Sequence, residues 1–230
     1  MSLRPTPDAA LLNAAGLNLL AVFDIAGLPD AIRATLPEGK RQLILIGHGG
    51  PRLWAAVQAA GINGTKSEHP IDDFTVVTVR RWAAVHFGGA KFEILYPGDA
   101  PVGLQVLGRL AGWHHDTPFM VGINATWGPW FAYRAALVTD TDFAPTAPMT
   151  GTSPCQSCAA KPCITACPPG AAGERFDLKG CIDHRCSKGS TCAETCLARL
   201  ACPVRPEHRY PVEQIRHSYG RSLADLVRYR

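Results

Sequence analysis

CQSCAAKPCITACPPG, residues 155–170, places four cysteines within thirteen residues and follows the last with a proline. Five more come later, Cys181, Cys186, Cys192, Cys196 and Cys202, and the first 154 residues contain none. A secreted domain usually spreads its disulfide staples along the chain and uses an even number. Nine thiols crowded into forty-eight residues point instead to a metal grip.

Two kinds of grip compete. Zinc sites show two short cysteine pairs separated by a longer spacer, four ligands in all. Here the order is Cys155-x2-Cys158-x4-Cys163-x3-Cys167-Pro168. Bacterial ferredoxins use C-x2-C-x2-C-x3-C-P, three close thiolates on one iron–sulfur cubane and a proline-tagged fourth on another. The chain carries two such tagged ends, Cys167-Pro168 and Cys202-Pro203, as a crossed pair of clusters needs. Its second gap is four residues, with Lys161-Pro162 inserted, and its later cysteines are more loosely spaced. The reading is 4Fe–4S, two clusters rather than one, with a zinc-stabilised binding protein as the alternative.

Outside the cysteines, 230 residues with 47% apolar and 18% charged composition suffice for one large domain plus an appendage. A net charge of +4 without a basic stripe argues against a nucleic-acid partner. MSLRPTPDAALLNAAGLNLL does not read as a signal peptide. No run reaches the roughly eighteen apolar residues of a membrane span. The expected location is the cytoplasm, where thiols stay reduced.

Residues 1–150 read as an α+β domain. LNLLAVFDIA (17–26), RQLILIGHGG (41–50), KFEILYPGD (91–99) and WFAYRAALVTD (130–140) read as strands. PRLWAAVQAAG reads as a helix from Pro51 to Gly61, and PVGLQVLGRLAGW as one starting at Pro101. DDFTVVTVRRWAAVHF opens with β-branched residues. TDFAPTAPMTGTSP (141–154) has a linker's composition, with little to bury. Residues 151–205 form the cysteine module. The tail, 206–230, reads as a helix from Pro211 with Val212, Ile215 and Tyr219 on one face, extended by Leu223, Leu226 and Val227, and is expected to pack back on the first domain. GHGG (47–50) lacks a phosphate-loop context and reads as a turn, and His114-His115 reads as a solvated loop pair. Arg134 either binds a carboxylate or pairs internally.

GDAPVGLQVLGRLAGW, GINATWGPWFAYRAALVTD and the cysteine module around FDLKGCI together resemble the epoxyqueuosine reductase family. The strand WFAYRAALV and the tail HRYPVEQIRHSYG also resemble the cobalamin-processing decyanase proteins, and the reductive dehalogenases share the arrangement. The resemblance implies a nitroreductase-like, cobalamin-binding domain followed by a small ferredoxin-like two-cluster module. It implies that Cys155, Cys158 and Cys163 join Cys202 on one cluster. Cys167 and Cys181 would join Cys192 and Cys196 on the other, leaving Cys186 spare or an alternative ligand. Asp99 falls at the family's proton-donating aspartate, one residue short of its spacing; a turn aspartate capping the helix at Pro101 is the other reading.

The chemistry implied is an oxidoreductase passing electrons from clusters to a corrinoid or small-molecule substrate. A ferredoxin-like carrier or adaptor without a catalytic cofactor is the alternative, and flavin is an option on fold analogy. Trp127, Gly128, Trp130 and Phe131 are candidates for an aromatic wall against a macrocycle; ordinary core packing is the other reading. A low-potential donor such as a flavodoxin or ferredoxin reductase is the expected partner. The family's reductases continue into a helical-repeat region that helps hold tRNA. Only twenty-seven residues follow Pro203 here, so a tRNA substrate is not expected.

Overall fold

The computed structural model describes residues 3–61 and 67–228. The chain divides into two units. The first runs to Trp113 and resumes over Phe131–Thr150; the second comprises His114–Trp130 and everything from Gly151 onward.

Unit 1 contains, in order, α1 (Ala10–Ala14), β1 (Leu19–Asp24), α2 (Asp30–Arg33), β2 (Gln42–Gly49), α3 (Arg52–Ala59), α4 (Pro70–His86), β3 (Phe92–Tyr96), α5 (Leu104–Leu110) and β4 (Phe131–Thr139). The strands form one antiparallel sheet in the order β1-β2-β4-β3. The α+β reading therefore holds, and each strand read from the sequence is present. β2 is buried throughout, as its unbroken apolar run requires. The β-branched start of DDFTVVTVRRWAAVHF lies inside α4. Ile71, Thr75, Thr78, Val79, Trp82 and Ala83 recur at helical spacing there and are buried, so packing overrides local propensity. Val79, Trp82 and Ala83 share a core with Ile44, Ile46, Ala135 and Leu137 of the sheet.

α5 starts at Leu104, with Gly103 as N-cap, three residues after the expected Pro101. The stretch read as a linker is partly core. Phe143 is buried, Thr146 N–H donates to the Val22 carbonyl at 3.0 Å, and buried Gln42 binds Phe143 through its carbonyl (2.7 Å) and its N–H (3.0 Å).

Unit 2 contains α6 (Pro154–Ser157), α7 (Pro162–Thr165), α8 (Leu178–Cys186), α9 (Leu197–Leu200) and α10 (Val212–Arg228). Short helical turns joined by loops suit a segment whose apolar content is modest and whose cysteines lie close in sequence. α10 belongs to unit 2. Ile215 and Tyr219 pack with Trp130, Tyr210 and Leu200, while Val212 and Val227 are exposed. The buried face is therefore centred on Gln214 and Ile215 rather than on every apolar residue of the helix.

No helix among the described residues is long and apolar enough to cross a membrane.

Candidate metal centre

All nine cysteines are free thiols; Cys163, Cys192 and Cys202 are buried and the other six half-buried. The local chain explains how the first ones are presented. Ser153 caps α6, which opens with Pro154 and carries Cys155. Lys161 adopts a left-handed conformation (φ 37°), and Pro162 then opens α7 with Cys163 turned inward. The Lys161-Pro162 insertion is thus a reversal of the chain that sets Cys163 in place.

The thiols act on one another in two sets. Burial raises the Cys155 thiol above its ordinary pKa, and Cys202 and Cys158 add to the shift. Burial likewise raises Cys163, helped by Cys202, Cys155 and Cys158. Burial raises Cys181 as well, and its cysteine neighbours are Cys196, Cys167 and Cys192. Cys196 is raised by burial and then by Cys192. By these influences Cys155, Cys158, Cys163 and Cys202 make a first set and Cys167, Cys181, Cys192 and Cys196 a second, while in packing the two overlap, since Cys155, Cys167 and Cys196 all lie against the apolar cluster of Cys163 and Cys202. Cys186 is not among the neighbours in either. Like charges held together in a poorly solvated place resist ionising unless a cation joins them.

The backbone and other side chains favour thiolates at selected positions. Val204 N–H donates to Cys202 Sγ, and Arg199 N–H to Cys196 Sγ. Tyr219, half-buried overall, turns its hydroxyl inward to donate to Cys196 Sγ; burial raises that phenol to a pKa of about 12. Phe119, Ile123, Ala172 and Ala198 pack with Cys163 and Cys202 in an apolar sheath. A groove of about 470 Å³ opens beside Cys158, lined by Ala125, Ser153, Ser157, Pro203 and Val204 among others. Among the described residues no group of three or more His, Cys, Asp or Glu is placed to hold a metal ion.

The other candidates are scattered. Asp99 is exposed in the turn after β3 and does not cap α5, whose N-cap is Gly103. Trp130 is fully buried, with its ring 5.5 Å from Tyr210 and under the Arg199 guanidinium at 4.6 Å. Trp127 lies against His208, the ring centroids 4.6 Å apart and the planes tilted by 53°. Gly128 is pressed against the Val204 backbone. Phe131 is buried at the start of β4 in unit 1. Trp127, Gly128 and Trp130 thus already have neighbours within unit 2.

Arg134 pairs internally: it sits in a β-bulge between the pairs Ile46–Ala135 and Gly47–Tyr133, and its Nε donates to His48 Nδ1 at 2.9 Å. His114 is buried rather than solvated, 3.4 Å from Asp116. Arg199 escaped sequence reading altogether; its one signal is a single charge in the apolar run LARLA between Cys196 and Cys202.

No protein-family model matches the sequence, and no curated protein does. Solved structures do match. Epoxyqueuosine reductase from Streptococcus thermophilus superposes with a TM-score of 0.54 at 10% identity, over 87% of this chain and 66% of that one. An epoxyqueuosine reductase with a tRNA-Tyr stem loop gives 0.54 at 12%, over 90% and 67%. A B12-trafficking protein of C. elegans gives 0.53 at 14%, over 96% and 92%. The resemblance seen in the sequence is therefore a resemblance of fold. The chain spans about two thirds of the length of the reductases it matches.

Proposed function

We propose that this chain is an iron–sulfur redox protein. Cys155, Cys158, Cys163 and Cys202 would hold one 4Fe–4S cluster, and Cys167, Cys181, Cys192 and Cys196 a second, in a ferredoxin-like module. The reading is supported by the way the thiols act on one another: Cys202 and Cys158 on Cys155 and Cys163, and Cys196, Cys167 and Cys192 on Cys181. Of the buried polar atoms without a hydrogen-bond partner among the described residues, two lie beside these cysteines: His184 Nε2, three residues after Cys181, and Thr195 Oγ1, next to Cys196. Cluster sulfurs are acceptors for such donors.

Clusters of this kind supply single electrons at low potential. A donor such as a flavodoxin or ferredoxin reductase would approach the first set at the groove beside Cys158, in the reducing cytoplasm. Unit 1 would receive the electrons on a bound corrinoid or small molecule. The corrinoid is suggested by the B12-trafficking protein that shares the fold. Trp127, Gly128 and Trp130, the candidates for its wall, are occupied by neighbours in unit 2.

That occupancy, with Asp99 exposed on a turn, favours a second reading: an electron carrier without a catalytic cofactor of its own. An RNA acceptor is a third class, raised by the neighbour seen with a tRNA stem loop.

Anaerobic purification followed by counts of iron, sulfide and zinc tests the clusters: about eight irons and eight sulfides are expected, and zinc without sulfide overturns the reading. Titrating the loaded protein with hydroxocobalamin, and separately with a stem-loop RNA, sorts the acceptors. A shifted corrinoid spectrum selects the first reading, and no response to either selects the carrier.

A further inference from the structure

α4 is the longest helix of unit 1 among the described residues, and its two faces differ in kind. The inner face, with Ile71, Val79 and Trp82, is buried in the core. The outer face carries Asp73, Val77, Arg80, Arg81, Ala84 and Val85, all exposed. Val77 and Val85 show 56% and 68% of their surface to solvent. The outer face of a helix that covers a core is ordinarily polar. Here valines and an alanine interrupt it.

The charges on that face are sorted along the helix. Asp73 lies in the first turn, and Arg80 and Arg81 come two turns later. Within a helix, ion pairs form between residues three or four apart. The positions at those distances from the two arginines hold only valine, threonine and alanine. Among the described residues neither guanidinium has a hydrogen bond, an ion pair or a ring contact. Asp73 accepts the Ser67 hydroxyl at Oδ2, which leaves Oδ1 unused. Asp73 and Arg81 stand about 12 Å apart along the axis, too far to pair within one chain.

A second copy of the helix removes that separation. Residues 73, 77 and 81 recur four apart and form one ridge, of the kind that packs between the ridges of a neighbouring helix. Two such helices laid antiparallel about a two-fold axis at Val77 bring each Asp73 to the partner subunit's Arg81. The two valines meet on the axis, and the charge pair forms twice because the contact is isologous. Arg80 lies about 100° round the helix and flanks the pair. The helix dipoles run opposed as well.

We propose that the outer face of α4 is a self-association surface, and that its occupant is a second copy of this chain, antiparallel about Val77. A face of one sign would call for an unlike partner; this face carries both signs, in the order that matches its own reverse. The valines supply the attraction, and the charges set register and direction. One helix face is smaller than a standard interface, so the dimer is weak and reversible.

The test is analytical ultracentrifugation of the full chain, kept reduced, over a range of concentrations. The wild type moves from monomer toward dimer as concentration rises. Arg81→Asp and Asp73→Arg each set like charges opposite one another at both ends, and each weakens the dimer at least about tenfold. The combined variant Asp73→Arg/Arg81→Asp rebuilds both pairs with reversed sign and recovers the affinity to within about threefold. Val77→Glu places two carboxylates on the axis and leaves a monomer. Should Asp73→Arg lose its fold, because Asp73 also holds Ser67, then Arg81→Asp and Val77→Glu decide. A wild type that stays monomeric at every concentration overturns the proposal and leaves the face to an unlike partner. A dimer that survives Val77→Glu overturns it too, and so does a combined variant no better than either charge reversal alone.

Discussion

Gly128 and Val204 meet backbone to backbone: a Cβ on Gly128 would run into the Val204 carbonyl oxygen, and Gly128 holds a φ of +57°. The 124–128 loop makes this approach possible. Asn124 and Gly128 exchange backbone hydrogen bonds at 3.2 and 2.9 Å, and Asn124 Oδ1 accepts from Trp127 N–H at 2.8 Å. Arg205 Nε fastens the facing segment to the Ala125 carbonyl at 2.7 Å. The consequence reaches the sulfur chemistry, because Val204 N–H is the donor to Cys202 Sγ.

Gly128→Ala should therefore act on the first cysteine set. The left-handed backbone alone costs about 1–3 kcal/mol for a residue with a side chain, before the clash is counted. The expected outcome is a lower melting temperature and a loss approaching half the bound iron, with the second set's signal retained. Full iron content at an unchanged melting temperature would refute this account of the Gly128–Val204 contact.

Single cysteine substitutions should divide by set. Cys155→Ser and Cys163→Ser would each remove about four irons and leave the second signal; Cys181→Ser and Cys196→Ser would do the converse. Cys186→Ser should keep all the iron, because Cys186 is not a neighbour in either set. Iron counts and paramagnetic spectra read the result. Loss of iron in Cys186→Ser would redraw the second set.

The contrast between legible and illegible features follows from range. The β2 run RQLILIGHGG announces a buried strand because burial on both faces leaves no polar alternation, and the observed strand is buried at every position. The partners around the sulfurs are another matter. Arg199 reaches Pro129, seventy residues away, and Tyr219 comes from a helix that begins after the last cysteine. No local pattern encodes such meetings. Asp99 and Trp130 show the opposite hazard, since residue types suited to catalysis or to a cofactor wall also suit a turn and a core. α4 misleads for a third reason: its β-branched start is a weak preference that the core with Trp82 outweighs.

Gln42 offers a test of the sheet unit. Its amide is 1% exposed and fully used. Nε2 donates to Asp24 Oδ1 (2.9 Å) and the Phe143 carbonyl (2.7 Å), and Oε1 accepts from Thr141 Oγ1 (2.9 Å) and Phe143 N–H (3.0 Å). Gln42→Leu keeps the bulk and strands those four groups, so a destabilisation of about 2–4 kcal/mol is expected by urea unfolding. A change below about 0.5 kcal/mol would show that the network contributes little.

Tyr133 sets an alkaline limit on unit 1. Its hydroxyl lies against Gly108 of α5, and burial raises the phenol well above its ordinary pKa of 10.0, an effect that the nearby Arg109 charge only partly opposes. A raised folded-state pKa means that the neutral form is the one the fold holds. The stabilisation is complete below the unfolded value of 10.0 and is lost as pH rises beyond it, because the unfolded chain ionises first. Tyr133→Phe removes this dependence. Urea unfolding at about pH 8 and about pH 11 should show the wild type losing more stability than the variant, so that the gap between them narrows with pH. Tyrosinate absorbance in the folded wild type should rise later than in the urea-unfolded chain. Equal losses in the two proteins would mean that Tyr133 ionises as freely folded as unfolded, which its burial beneath α5 forbids.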